Sequence, residues 1–207
     1  MIIYLTNITG VNVGDIPTEK LSRRAQEKIQ RLKQAAPLKA VQTAVADLVL
    51  SHAKKVLGIV SEIAENECGK PYFSDSEKQF SISHSDNIVA VSLSDNKHGI
   101  DIERLRRMDE KTVRAVLSPY TYLEYLKADN AEKDKMFARI FTEKESYVKY
   151  LGTGFNCKPS EVVPKNVSFL TKYLFRDADV YCFTICLEKE ESFTFEPLSI
   201  KDLLADN

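Results

Sequence analysis

The sequence has no tryptophan, only 7 glycines and 7 prolines among 207 residues, and almost no net charge. Sparse glycine and proline beside 43% hydrophobic residues exclude a collagen-like, low-complexity or disordered chain. Lys and Arg number 29 against 30 Asp and Glu, a net charge of −1, which excludes a protein held to nucleic acid by its overall field. Long apolar runs are missing too. Val45 to Leu50 is broken by Asp47 and Ile88 to Leu93 by Ser92, far short of the roughly 20 residues that span a bilayer, so no membrane association is expected. The opening MIIYLTNITG has no basic residue before its apolar ones and no small-residue cleavage site, so it does not read as a signal peptide, and the cytoplasm is the expected compartment. The four cysteines form no C-x-x-C and the three histidines are scattered, which argues against structural zinc. Cys182 and Cys186 fall in one predicted strand, roughly 13 Å apart by strand rise, and read as buried thiols rather than a disulfide.

What is present is a regular alternation of patterns. Ile2 to Ile8 predicts a strand, and Leu21, Ala25, Ile29 and Leu32 predict a helix from near Thr18 to Pro37. A second helix carries Leu38, Val41, Val45, Leu48, His52 and Val56 on one face and stops at Gly58. After a loop at Cys68-Gly69-Lys70-Pro71, the segments Phe80 to Ser85, Ile88 to Leu93 and Gly99 to Glu103 predict a three-stranded antiparallel meander. Beyond the charged connector Arg104 to Asp109, Val113, Val116, Leu117, Tyr120 and Leu123 predict one helical face. A loop from Ala128 to Asp134 precedes a helix from Met136 to Leu151 with a glycine stop at Gly152, and strands follow near 167–174, 180–187 and 192–195. The expected fold class is α+β, in two halves, 1–103 and 104–207.

Three segments carry candidate chemistry. In Gly99-Ile100-Asp101-Ile102-Glu103, alternation places Ile100 and Ile102 on a buried face and Asp101 and Glu103 together on the other, with Cα atoms about 6.6 Å apart. Paired carboxylates suit a hard cation such as Mg²⁺; the same pattern also fits two solvated charges on an exposed face. In Thr142-Glu143-Lys144-Glu145-Ser146-Tyr147-Val148-Lys149, Glu145 and Lys149 share a helix face, either as a surface ion pair or as a ligand and an anion-binding ammonium. In Phe80 to Ser85, His84 sits at a strand end among hydroxyls, either buried beside Phe80 and Ile82 or offered to an anion.

Taken in order and spacing, Gly69-Lys70-Pro71, Phe80 to Ser85, Gly99 to Glu103, and Lys144-Glu145-Ser146 with Lys149 resemble the signature of the 4′-phosphopantetheinyl transferases, of the larger surfactin-synthetase-activating type. The resemblance covers residues 69–149. It implies a pseudo-twofold fold of two α+β halves with the active site between them, and a monomer, since one chain supplies both halves. It implies transfer of 4′-phosphopantetheine from coenzyme A to a serine of an apo acyl or peptidyl carrier protein of fatty-acid, polyketide or nonribosomal-peptide synthesis. Adenosine 3′,5′-bisphosphate is released.

By position, Asp101, Glu103 and Glu145 are expected to hold Mg²⁺, and His84 and Lys149 to meet the phosphates. Glu145 is the expected base, and Lys70 and Ser83 are expected to position coenzyme A. Phe141 stands where many members have Trp, and Thr121 where a glutamate is common. The arginine expected on the second helix for the 3′-phosphate is absent: Lys39 and Gln42 are nearest, with Lys28 and Arg31 as helpers. These departures keep two alternatives in view, a non-catalytic relative that binds the carrier or nucleotide and a metal-dependent hydrolase. The near-neutral charge is itself an average. Lys20 to Lys39 holds seven basic residues against Glu27, whereas six acidic residues from Glu188 onward meet only Lys189 and Lys201.

Overall fold

A computed structural model describes residues 1–206. Its elements are β1 (Ile2–Asn7), α1 (Arg23–Leu32), α2 (Pro37–Val56), β2 (Ile63–Glu65), β3 (Pro71–Phe73), β4 (Gln79–Ser85), β5 (Ile88–Ser94) and β6 (His98–Arg104). These are followed by α3 (Glu110–Val116), α4 (Pro119–Lys127), α5 (Asn130–Leu151), β7 (Ser168–Arg176), β8 (Asp179–Leu187), β9 (Thr194–Pro197) and α6 (Ile200–Asp206). The fold is mixed α+β, as expected.

The chain divides into two compact units, and their boundaries differ from a simple cut at 103/104. One unit gathers Met1–Ile63, Phe73–Asp95 and the chain from Glu191; the other gathers Ala64–Tyr72 and Asn96–Glu190. The reason lies in strand pairing. β5 is antiparallel to β4 on one edge and to β1 on the other, so both its edges are taken. β6 cannot extend the expected meander and instead pairs antiparallel with β8. Near the C-terminus, β9 lies parallel to β1 and so belongs with the first unit.

In the first unit the sheet order is β4-β5-β1-β9. Helix α2, begun by Pro37 in the first turn, buries Ala40, Val41, Ala44, Val45, Leu48 and Val49 in one core with Tyr4, Val89, Val91 and Phe80. Helix α1 starts at Arg23 rather than near Thr18. Leu21 is extended, and Ser22 caps the helix, its side chain accepting from the Ala25 N–H.

In the second unit the sheet order is β6-β8-β7. The helical face predicted from Val113 to Leu123 is two helices, because Leu117 is extended and Ser118-Pro119 restarts the turn as a new cap and first position. The restart shifts the phase: Tyr125 is buried, and Tyr120 and Leu123 face outward. Helix α5 begins earlier than expected, with Asp129 accepting from the Glu132 N–H. It ends at Gly152, whose φ of 78° is the left-handed cap that glycine adopts without strain. Cys182 and Cys186 are buried free thiols, as expected, and burial pushes them up to about 11 and about 12. No helix among the described residues is long and apolar enough to cross a membrane.

Candidate active site

Helix α5 packs on β6 and β8, and one glycine sets how close. Gly99 shares a strand face with Asp101 and Glu103. A Cβ at Gly99 would lie 2.0 Å from the Ser146 carbonyl oxygen and 2.5 Å from the Tyr150 nitrogen. The helix backbone therefore crosses the strand where no side chain intervenes. On the helix side, Thr142 and Ser146 are fully buried and small. The Thr142 hydroxyl meets the Thr184 hydroxyl of β8 at 2.7 Å, and Thr184 meets Thr171 of β7 at 3.0 Å, so a hydroxyl chain links α5 to both strands.

This crossing sets residues 145 and 149 of α5 against Asp101. Asp101 is 3% exposed, so its face of β6 is covered rather than solvated. The Lys149 ammonium donates to Asp101 Oδ1 at 2.7 Å, so the lysine bonds across to the strand. Burial raises the Glu145 carboxyl above its usual range, the Asp101 charge raises it further, and Lys149 partly offsets both. Asp101, Glu145 and Lys149 thus sense one another as a group. Glu103 is half-buried two residues further along β6, opposite Cys182.

No three His, Cys, Asp or Glu side chains among the described residues stand close enough together to hold an ion between them. The chemistry of the donors nonetheless fits a hard divalent cation: all are carboxylate oxygens, and Glu145 and Asp101 repel one another in a partly buried setting.

Lys70 precedes the short strand β3, in the same unit as this group. Burial and then the nearby Lys97 charge lower its ammonium to about 8. The remaining expected residues belong to the first unit. Ser83 is buried on β4 and His84 is exposed, which decides against a buried structural histidine. Lys28, Arg31 and Lys39 are all exposed on α1 and the start of α2. Gln42 is buried, and its side-chain amide donates to the Asp86 carbonyl at 2.8 Å.

Sequence reasoning missed four contributors. Gly99 was legible only as part of a motif. Asn66 and Lys97 carried no local signal. Lys144, inside the recognised motif, is 8% exposed and donates to the carbonyls of Val116 at 2.9 Å and Pro159 at 2.7 Å. It fastens α5 to two other segments rather than reaching for a ligand.

The model of the 4′-phosphopantetheinyl transferase superfamily matches residues 97–201, half of the chain, and that stretch contains β6, α5 and the carboxylate group. The chain therefore belongs to the 4′-phosphopantetheinyl transferase superfamily. It is 38% identical over 112 residues to the 4′-phosphopantetheinyl transferase gsp of Aneurinibacillus migulanus, a match covering 52% of this chain and 46% of that protein. It is 31% identical over 91 residues to the 4′-phosphopantetheinyl transferase Sfp of Bacillus subtilis, covering 44% of this chain and 41% of Sfp. A further 4′-phosphopantetheinyl transferase of Bacillus subtilis is 23% identical over 159 residues, covering 74% of this chain and 70% of that one. The chain thus spans less than half the length of the first two relatives.

Proposed function

We propose that the protein transfers the 4′-phosphopantetheine group of coenzyme A to a serine of an apo acyl or peptidyl carrier protein, with Mg²⁺, releasing adenosine 3′,5′-bisphosphate. The observation that supports this most is the Asp101, Glu145 and Lys149 group at the α5–β6 crossing, inside the segment that matches the superfamily.

Asp101, Glu103 and Glu145 are the residues proposed to hold Mg²⁺, which supplies charge withdrawal from the attacked phosphorus and stabilisation of the leaving phosphate. The raised Glu145 carboxyl holds a proton more tightly than an ordinary glutamate, which suits it to take the proton of the incoming serine hydroxyl. The serine oxygen bonds to the phosphorus bearing pantetheine as the bond to the nucleotide phosphate breaks, and the electron pair leaves with adenosine bisphosphate. Lys149 supplies positive charge to the phosphates from beside Asp101. Lys70, Ser83 and His84 are proposed contacts for coenzyme A. Lys28, Arg31 and Lys39 are proposed for its 3′-phosphate, since Gln42 is engaged with Asp86. The reading places the protein in the cytoplasm as a monomer.

The test is to incubate the protein with coenzyme A, Mg²⁺ and a panel of apo carriers and to follow adenosine 3′,5′-bisphosphate by chromatography. Release that requires both carrier and Mg²⁺ supports transfer. Release without carrier, together with free phosphopantetheine, identifies a hydrolase. Coenzyme A binding without release identifies a non-catalytic relative.

A further inference from the structure

Two lysines, Lys70 and Lys97, lie against residues at the end of α5, and only Lys70 has a role so far. Its loop is built to hold it. Asn66 Oδ1 accepts from the backbone N–H groups of Cys68 at 3.0 Å and Lys70 at 2.8 Å, and the Asn66 N–H donates to the Lys70 carbonyl at 3.0 Å. The Asn66 amide then donates to the Gly152 carbonyl at 2.7 Å, which clamps the loop to the helix end. The stem of Lys70 runs across Gly152, where a Cβ would meet Lys70 Cδ at 3.1 Å.

Lys97, in the turn before β6, sets its ammonium 4.5 Å from the centre of the Tyr150 ring on the last turn of α5. The aromatic face fixes a side chain that would otherwise sweep through solvent. Its charge reaches Lys70 and is the second cause, after burial, of the lowered Lys70 ammonium. Glu188 acts on the same neighbourhood, holding the Tyr150 phenol up after burial does so. Among the described residues neither Lys70 nor Lys97 is ion-paired with a carboxylate. Lys70 is half-buried and Lys97 exposed, and two like charges that act on one another are unfavourable in the free protein and are offset when both meet an anion.

We propose that Lys97 is a second phosphate-binding cation beside Lys70, donating to a phosphate oxygen of coenzyme A. The assignment rests on the transferase reading above. Neither the motif nor any expected ligand set includes Lys97.

Isothermal titration of the full chain in Mg²⁺ at low salt tests it, with coenzyme A and with dephospho-coenzyme A, which lacks the 3′-phosphate. Lys97→Gln is expected to raise the Kd for coenzyme A about tenfold, the effect of one charge-assisted hydrogen bond. Lys97→Arg is expected to stay within about twofold, since it keeps the charge. Lys172→Gln, an exposed site on β7, is expected to change nothing. If dephospho-coenzyme A binding shows the same loss in Lys97→Gln, the pyrophosphate is the partner. If it shows none, the 3′-phosphate is. Either result supports the proposal. Wild-type binding with an unchanged Kd in Lys97→Gln, or an equal loss in Lys172→Gln, overturns it and leaves the transferase reading intact. A wild-type protein that binds no coenzyme A overturns both.

Discussion

Lys149 of α5 donates to Asp101 of β6 at 2.7 Å, with the aspartate side chain 5% exposed and the lysine 26%. The bond gives a buried carboxylate of the strand an ammonium partner from the helix. Lys149→Ala removes the ammonium from a buried carboxylate and is expected to destabilise the fold by about 2 kcal/mol, less than for a fully buried pair because the lysine is a quarter exposed. Adding Asp101→Ala is expected to recover part of the loss. Urea unfolding of the two single variants and the double variant measures this, and strictly additive losses would contradict it.

Gly99→Ala tests the close crossing of strand and helix. Its Cβ would meet helix backbone at 2.0 and 2.5 Å, and backbone cannot rotate away as a flexible side chain can. The expected loss is about 3 kcal/mol, with activity lost along with α5–β6 packing. A melting temperature within a degree or so of wild type would show that the helix does not depend on this contact.

Glu145 links function to pH. Burial and the Asp101 charge make the folded protein hold the Glu145 proton more tightly than the unfolded chain does. Stability is therefore fully present below the unfolded carboxyl value and is lost as pH rises through the folded one. Glu145→Gln removes that loss. It is expected to melt higher than wild type at about pH 7.5, with the difference vanishing by about pH 4, while abolishing transfer. Thermal scans across that range check it; a constant or inverted difference would contradict the electrostatic cause.

Lys144→Met tests the fastening role. The substitution keeps the stem and removes the donor to two backbone carbonyls. Destabilisation of about 2 kcal/mol is expected, together with faster amide exchange around Val116 and Pro159. An unchanged stability with a raised KM for coenzyme A would instead place Lys144 at the phosphates.

The motif strands and α5 were legible because their periodicity is strong and their ends carry ordinary signals, such as the glycine cap at Gly152. The phase of residues 110–127 was not, since Ser118-Pro119 restarts the helix inside one run of apolar spacing. The partner of β6 was hidden because pairing depends on which strand edges are already taken, here both edges of β5. Asp101, Glu145 and Lys149 were legible from residue type and spacing only as candidates beside a surface-charge reading, and the family resemblance singled them out; the bond from Lys149 to Asp101 required the crossing at Gly99. Asn66 and Lys97 act through chain segments far apart in sequence and left no local pattern to read.

The most direct measurement is the intact mass of an apo carrier protein after incubation with coenzyme A, Mg²⁺ and either the wild-type protein or Asp101→Ala. The expected result is a gain of one phosphopantetheine group with wild type and none with Asp101→Ala, in a variant shown to be folded. No gain with wild type across a panel of carriers, under conditions where an active 4′-phosphopantetheinyl transferase modifies them, would contradict the proposed function. An undiminished gain with Asp101→Ala would contradict the site.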